Sequence, residues 1–329
     1  MEATSSAVSP HGAAVRTPGA PANAPLARGG RSNADPSSSL PSFLPLPPLT
    51  AQGMVRIPGG SFGMGTDEHL GACEEPEGPL HTVRLGAFLL DECAVTNAQF
   101  CAFVEATGYV TDAQRCGGSW TFRPSCEAGG ALASESGAGW RYVEGACFRR
   151  PNGPHSSIAD CMQHPVVHVS WTAACASARW ADKRFPTEAE WEYAARGGLV
   201  AARYPWGDEL CPGGGHRCNV WRGAFPLGHT GEDGFVGTAP SDAYAANAYG
   251  LYNMVGNVWE WCADWFAASY YEISKHRDPR GPLTGDARVL RGGSYLCHDA
   301  WPKYRVTARW RLVPSASMAD VGFRCARDL

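Results

Sequence analysis

The 329-residue chain contains no run approaching the roughly 18 consecutive apolar residues that a membrane-spanning helix needs, so a soluble protein is expected. It has no excess of basic residues either. With 28 Lys and Arg against 32 Asp and Glu the formal charge is −4, no basic stripe is available to neutralise phosphates, and nucleic acid is excluded as a partner. Although it holds 13 cysteines, it has no CxxC pair, which argues against a zinc ribbon or a thioredoxin-like centre. Only 18% of residues are charged, too few for many solvated amphipathic helices. A secretory signal is missing too, because the most apolar early stretch, Leu40 to Leu49, is broken by Pro41, Pro45, Pro47 and Pro48. These absences point to a cytoplasmic protein acting as a monomer, with no membrane or nucleic-acid partner.

What is present is glycine, proline and tryptophan: 39, 25 and 12 residues, a composition of loop-rich structure pinned by aromatic anchors. Residues 1–50, rich in Ala, Pro, Ser and Gly, bury too little apolar surface to order themselves and are read as a disordered tail. Residues 51–329 then form one α+β domain with sparse regular structure. Three helices are legible. One starts after Thr96 and stops at Gly108, a second runs from Trp171 to Asp182, and a third starts at Thr187, whose capping box with Glu190 feeds Trp191 and Tyr193. Strands are expected at Met54–Ile57, His81–Leu90, Val166–Val169, Val289–Leu290 and Gly322–Cys325. Cys211 and Cys218 bracket a glycine-rich loop short enough to close as a disulfide in an oxidising compartment.

Two stretches are rich in oxygen donors. Asn219 to Phe235 brings an amide, carboxylates and turn carbonyls into a Gly-punctuated loop, and Asn253 to Glu260 alternates side-chain and main-chain oxygens, as a hard cation such as calcium requires. Neither matches an EF-hand, and an Asx-turn with an exposed carboxylate explains the same residues.

Seven motifs occur in order: I-P-G-G-S-F-G-M-G at 57–65, H-P-V-V-H-V-S-W at 164–171, F-P-T-E-A-E-W-E-Y-A-A-R-G-G at 185–198, Y-P-W-G at 204–207, Y-G-L-Y-N-M-V-G-N-V-W-E-W at 249–261, L-R-G-G-S-Y at 290–295 and G-F-R-C at 322–325. Through them residues 54–328 resemble the formylglycine-generating enzyme, or sulfatase-modifying factor, family. The resemblance implies a single compact domain of little regular structure, related to C-type lectin-like folds. It implies two structural Ca2+ ions, one on Asn219, Val220, Asp233 and Phe235 and the other on Asn253, Gly256, Val258 and Glu260. It further implies oxidation of a cysteine in a C-x-P-x-R segment of a peptide or protein, using molecular oxygen and Cu+ held by two thiolates, the ligand type that suits soft Cu(I).

The first of those thiolates corresponds to Cys297 in G-G-S-Y-L-C-H, with Ser294 and Trp259 as the accompanying catalytic positions and His298, Trp301, Arg309, Asp320 and Ser119 as substrate-binding ones. The second belongs five residues later, where this chain has Pro302, and one residue is missing between there and Tyr304. Asp320 stands where the family has asparagine, and Leu312 replaces a polar residue. Two disulfides of animal members are also altered. Ala195 and Val306 occupy both positions of one, while Cys325 keeps half of the other and Cys175 is its expected new partner. The sequence thus supports a metal- and O2-dependent oxidase with an altered metal site. The alternatives are a catalytically silent paralogue binding a peptide or partner protein in the same groove, and a calcium-stabilised recognition module.

Overall fold

A computed structural model describes residues 53–68, 75–124 and 139–329. The expected tail lies outside the described residues. The elements in chain order are β1 (Met54–Ile57), β2 (Gly60–Met64), β3 (His81–Leu85), β4 (Phe88–Asp91), α1 (Asn97–Thr107), α2 (Asp112–Arg115), β5 (Gly118–Phe122), β6 (Trp140–Glu144), α3 (Trp171–Trp180), α4 (Glu188–Arg196), β7 (Trp259–Trp265), β8 (Arg288–Arg291), β9 (Arg309–Leu312), β10 (Val321–Gly322) and β11 (Ala326–Asp328). They make one α+β domain in which irregular segments, above all residues 197–258, connect short ladders.

Helix starts follow local chemistry. The Thr96 hydroxyl accepts from the Gln99 amide and the Gln99 side chain returns the bond, and Thr187 does the same with Glu190. α1 and α4 both end on a glycine in the left-handed region, Gly108 and Gly197, where a side chain would add strain. Ser170 caps α3.

A four-stranded sheet in the order β10-β7-β8-β9 forms the centre, with β10 parallel to β7 and the other pairs antiparallel. A second sheet, β1-β4-β11, brings the C-terminus back beside residues near the start of the domain. The single strand expected over His81–Leu90 is two. Gly86 donates its amide to Asp278 Oδ1 instead of a ladder, and the halves join different partners, β3 with β2 and β4 with β1 and β11. Val166–Val169 is not a strand: His168 sits at φ 58, and these buried residues pack in the core with only irregular bonds such as Val166 N–H to the Val95 carbonyl. The ladder near 322–325 is displaced to Val321–Gly322 and Ala326–Asp328.

The core holds ions as well as hydrocarbon. Arg291 and Glu192, both fully buried, pair directly. Arg291 also donates to the carbonyls of Val306, Thr307 and Ala308. Arg309 pairs with Glu188 at 2.6 Å, and Arg324 with Glu260 at 2.7 Å. Each ion is stripped of water, and the geometry compensates because both charges and most guanidinium N–H groups find partners. The network ties α4 to β7, β8 and β9.

Candidate active site around Cys297

β7 opens at Trp259, and β10 lies parallel to it with Val321 opposite Trp259. The Trp259 amide donates to the Asp320 carbonyl at 2.8 Å, so Asp320 stands directly beside the start of β7. On the neighbouring strand, β8 ends at Arg291 and the chain turns through Gly292 and Gly293 at φ 95 and 74. A Cβ on Gly293 would lie 2.6 Å from the Lys303 carbonyl oxygen, and one on Gly292 would lie 3.1 Å from the Trp191 ring. Only glycine lets the chain enter this turn so close to its neighbours. The turn delivers Ser294 and Cys297, both fully buried.

The Cys297 sulfur accepts from the Ser294 amide at 3.3 Å, and the Ser294 hydroxyl donates to Asp320 Oδ2 at 2.8 Å. Burial, followed by the charge of Asp320, pushes the Cys297 thiol up to about 12, so the resting sulfur is a neutral thiol. Burial likewise raises the Asp320 carboxyl to about 7, and no cation pairs with it among the described residues. Asp320 Oδ1 and Trp259 Nε1 are buried and lack hydrogen-bond partners among the described residues. An orphan acceptor and an orphan donor thus flank the serine–cysteine turn, the pattern left where a polar group of a ligand is to be bound.

Trp259, Trp301 and Trp310 pack as a trio with centroids 5.3 to 6.0 Å apart. The His298 ring stacks on Phe225 at 4.1 Å, and burial lowers its pKa. The Trp301 amide bonds the His298 carbonyl at 2.8 Å, a tight turn that carries the chain from Cys297 into Pro302. Cys297, Ser294, Trp259, Asp320, His298 and Trp301 are therefore one neighbourhood. Arg309 is committed elsewhere, with Nε and Nη2 on Glu188 and Nη1 on the Pro76 carbonyl. Ser119, on β5, bonds the carbonyl and hydroxyl of Ser317 and His168 Nδ1, and so touches the segment that leads to Asp320. Phe225 and Trp310 were not singled out in the sequence. Their positions depend on long-range packing that no local spacing reports.

The two oxygen-rich segments are also assembled. Asp233 accepts from the Val220 and Phe235 amides, drawing those residues together. Buried Asn219 Oδ1 and Asn253 Oδ1 each lack a partner among the described residues, which leaves an acceptor open in each segment. Glu260 Oε1 takes a single hydrogen bond, from Arg324, and keeps a lone pair. These donor sets fit a hard cation. The 297–305 segment does not supply the two-thiolate Cu(I) pair, since Cys297 is its one cysteine and Pro302 offers no donor. The described cysteines are all free thiols, so neither the Cys175–Cys325 nor the Cys211–Cys218 disulfide is present. Ala195 and Val306 are fully buried apolar residues. Among the described residues no helix is long and apolar enough to cross a membrane.

A model of the sulfatase-modifying factor enzyme 1-like domain matches residues 42–329. The chain is 56% identical over 290 residues to the formylglycine-generating enzyme of Thermomonospora curvata, covering 86% of this chain and 95% of that one. It is 41% identical over 281 residues to the inactive C-alpha-formylglycine-generating enzyme 2 of Bos taurus, covering 83% and 87%. Among solved structures, PvdO from Pseudomonas aeruginosa superposes with a TM-score of 0.61 at 26% identity, over 84% of this chain and 94% of that one. With seven motifs in order and a match along nearly the whole domain, the chain belongs to the sulfatase-modifying factor family, that of the formylglycine-generating enzymes.

Proposed function

We propose that the protein takes a cysteine side chain of a peptide or protein, in a C-x-P-x-R-type segment, to the Cys297 site and oxidises it with molecular oxygen, with Cys297 the retained thiolate of an altered metal site. The observation that carries this reading is the linked arrangement of Cys297, Ser294 and Asp320, with an unpartnered acceptor on Asp320 and an unpartnered donor on neighbouring Trp259. Trp259 Nε1 is available to bind a carbonyl of the incoming segment and Asp320 Oδ1 to receive an N–H. Ser294 orients the Cys297 sulfur through its amide and couples it to Asp320 through its hydroxyl. Trp301 and His298 line the approach. Copper enters no step here, because Pro302 supplies no thiolate at the family's second ligand position.

We assign calcium a structural role at the two oxygen-rich segments, with Asn219, Val220, Asp233 and Phe235 holding one ion and Asn253, Gly256, Val258 and Glu260 the other. The orphaned Asn219 and Asn253 oxygens support this assignment.

A second reading, peptide binding without turnover, is favoured by one observation: Pro302 occupies the place of the second thiolate. Incubating a C-x-P-x-R peptide with the protein in air, with and without added copper, separates the two. Mass spectrometry showing the cysteine converted to an aldehyde, with matching oxygen uptake, establishes the oxidase. Peptide binding by fluorescence anisotropy with unchanged peptide mass and no oxygen uptake refutes it in favour of the binding protein.

A further inference from the structure

We infer that a hollow between α3, the start of α4 and the turn joining β3 to β4 is a binding site for a small organic acid with an apolar body. It has a volume of about 530 Å³, and Cys297, Ser294, Asp320 and Trp259 are not part of its lining. Its floor is hydrocarbon, formed by buried Leu85, Phe88, Ala178 and Phe185. Trp171 makes a wall, with its ring 5.5 Å from that of Phe185 and its Nε1 already donating to the Cys262 carbonyl at 2.9 Å. The indole therefore presents ring carbon and no open donor, so a ligand body lodged here is held by leaving water rather than by hydrogen bonds.

The charged residues around the hollow fall into two groups. Lys183 pairs with Asp91, and Arg184 pairs with both Glu190 and Asp328 at 2.7 Å. Asp278 accepts from the Gly86 amide at 2.9 Å and lies 3.5 Å from Arg277. Every acid in the lining is thus engaged. Arg179 and Arg280 line the same hollow from exposed positions, and among the described residues neither makes an ion pair, Arg280 feeling Asp328 only at longer range. Leu85 and Gly86 also border a second hollow lined by Arg84 and Arg277, which are bridge partners, so the positive rim continues past the first. An anion at this rim meets guanidiniums that no protein group neutralises, beside an apolar floor that strengthens the attraction, and the guanidinium fork suits a carboxylate or sulfonate. A cation would meet like charge, and a neutral ligand would leave the arginines unused. The occupant is an acid, its hydrocarbon body on the floor and its acidic group at the arginine rim.

The test uses the full chain and two fluorescent probes that share one body, 1-anilinonaphthalene-8-sulfonate and its uncharged parent N-phenyl-1-naphthylamine. The sulfonate should saturate a single site, bind more tightly than the parent and weaken as salt is raised. Replacing both rim arginines, Arg179→Ala with Arg280→Ala, should weaken the sulfonate about tenfold, the sum of two exposed ion pairs, and leave the parent unchanged. Ala87 is half-buried in the lining, and Ala87→Trp should weaken both probes by filling the hollow. Cys297→Ser should bind both as wild type does, whatever the protein does to peptides. Equal affinity for the two probes, full sulfonate affinity in the double-arginine variant, or loss of binding in Cys297→Ser would each overturn the site.

Discussion

Replacing Asp320 by asparagine isolates the electrostatics of the site. Asp320 is 2% exposed, accepts one hydrogen bond from Ser294 and has no paired cation among the described residues, and burial holds its carboxyl at about 7 rather than 3.8. The folded state therefore binds a proton that the unfolded chain releases. Its contribution to stability is fully present below about pH 4 and is lost as pH rises through 7, a swing of about 4 kcal/mol for the full displacement. An asparagine side chain at this position carries no charge to desolvate at any pH. Urea unfolding of wild type and Asp320→Asn at pH 5, 6, 7 and 8 removes the titrations common to both. The stability of the variant relative to wild type should climb by about 1.4 kcal/mol per pH unit between 5 and 7 and level off above. A difference that stays constant from pH 5 to 8 would show that Asp320 is solvated or paired, and the account of the site would fail with it.

Cutting the buried ion network should be costly: Glu192→Gln removes the carboxylate shared by Arg291 and Arg196, leaving Arg291 only the longer pair with Glu188, and is expected to lower stability by about 3–5 kcal/mol in the same assay. Thr187→Ala removes the hydroxyl that caps α4 and should cost about 1 kcal/mol, read as a lower urea midpoint with an unchanged m-value. Calcium at 100 times its dissociation constant should stabilise the wild type by about 2.7 kcal/mol per site, and EGTA should reverse this. Asn253→Ala should abolish the share of its own site and keep that of the Asn219 site, and an equal response in the variant would remove Asn253 from the ligand set.

Much of the fold was legible because the signals were local. Thr96, Gly108, Thr187 and Glu190 mark helix ends by hydrogen bonds made within a few residues, and those ends are where the structure has them. The strand proposed at Val166–Val169 failed because its apolar residues are dictated by core packing around a left-handed His168, which imitates a strand without a partner. β7 escaped because W-E-W-C-A-D-W is buried almost throughout and shows no alternation, its two acids being absorbed by Arg324 and by the Glu188 amide. The β5–β6 pairing escaped because residues 123–139 separate the strands, too long a stretch for a tight turn to set their register. At the site, the glycines and Cys297 announced themselves by motif. The stacking of Phe225 on His298 and the packing of Trp310 on Trp259 join residues 73 and 51 positions apart, and no local spacing encodes them.

On the proposed reading Cys297 is half of a thiolate pair whose other half is replaced by Pro302. Cu(I) affinity, measured by competition with a chromophoric chelator for wild type, Cys297→Ser and Pro302→Cys, tests it most directly. The account predicts that Pro302→Cys binds Cu(I) far more tightly than wild type and that Cys297→Ser lowers the remaining affinity further. Wild-type affinity equal to that of Pro302→Cys would mean that a second strong ligand is already in place, and would contradict it.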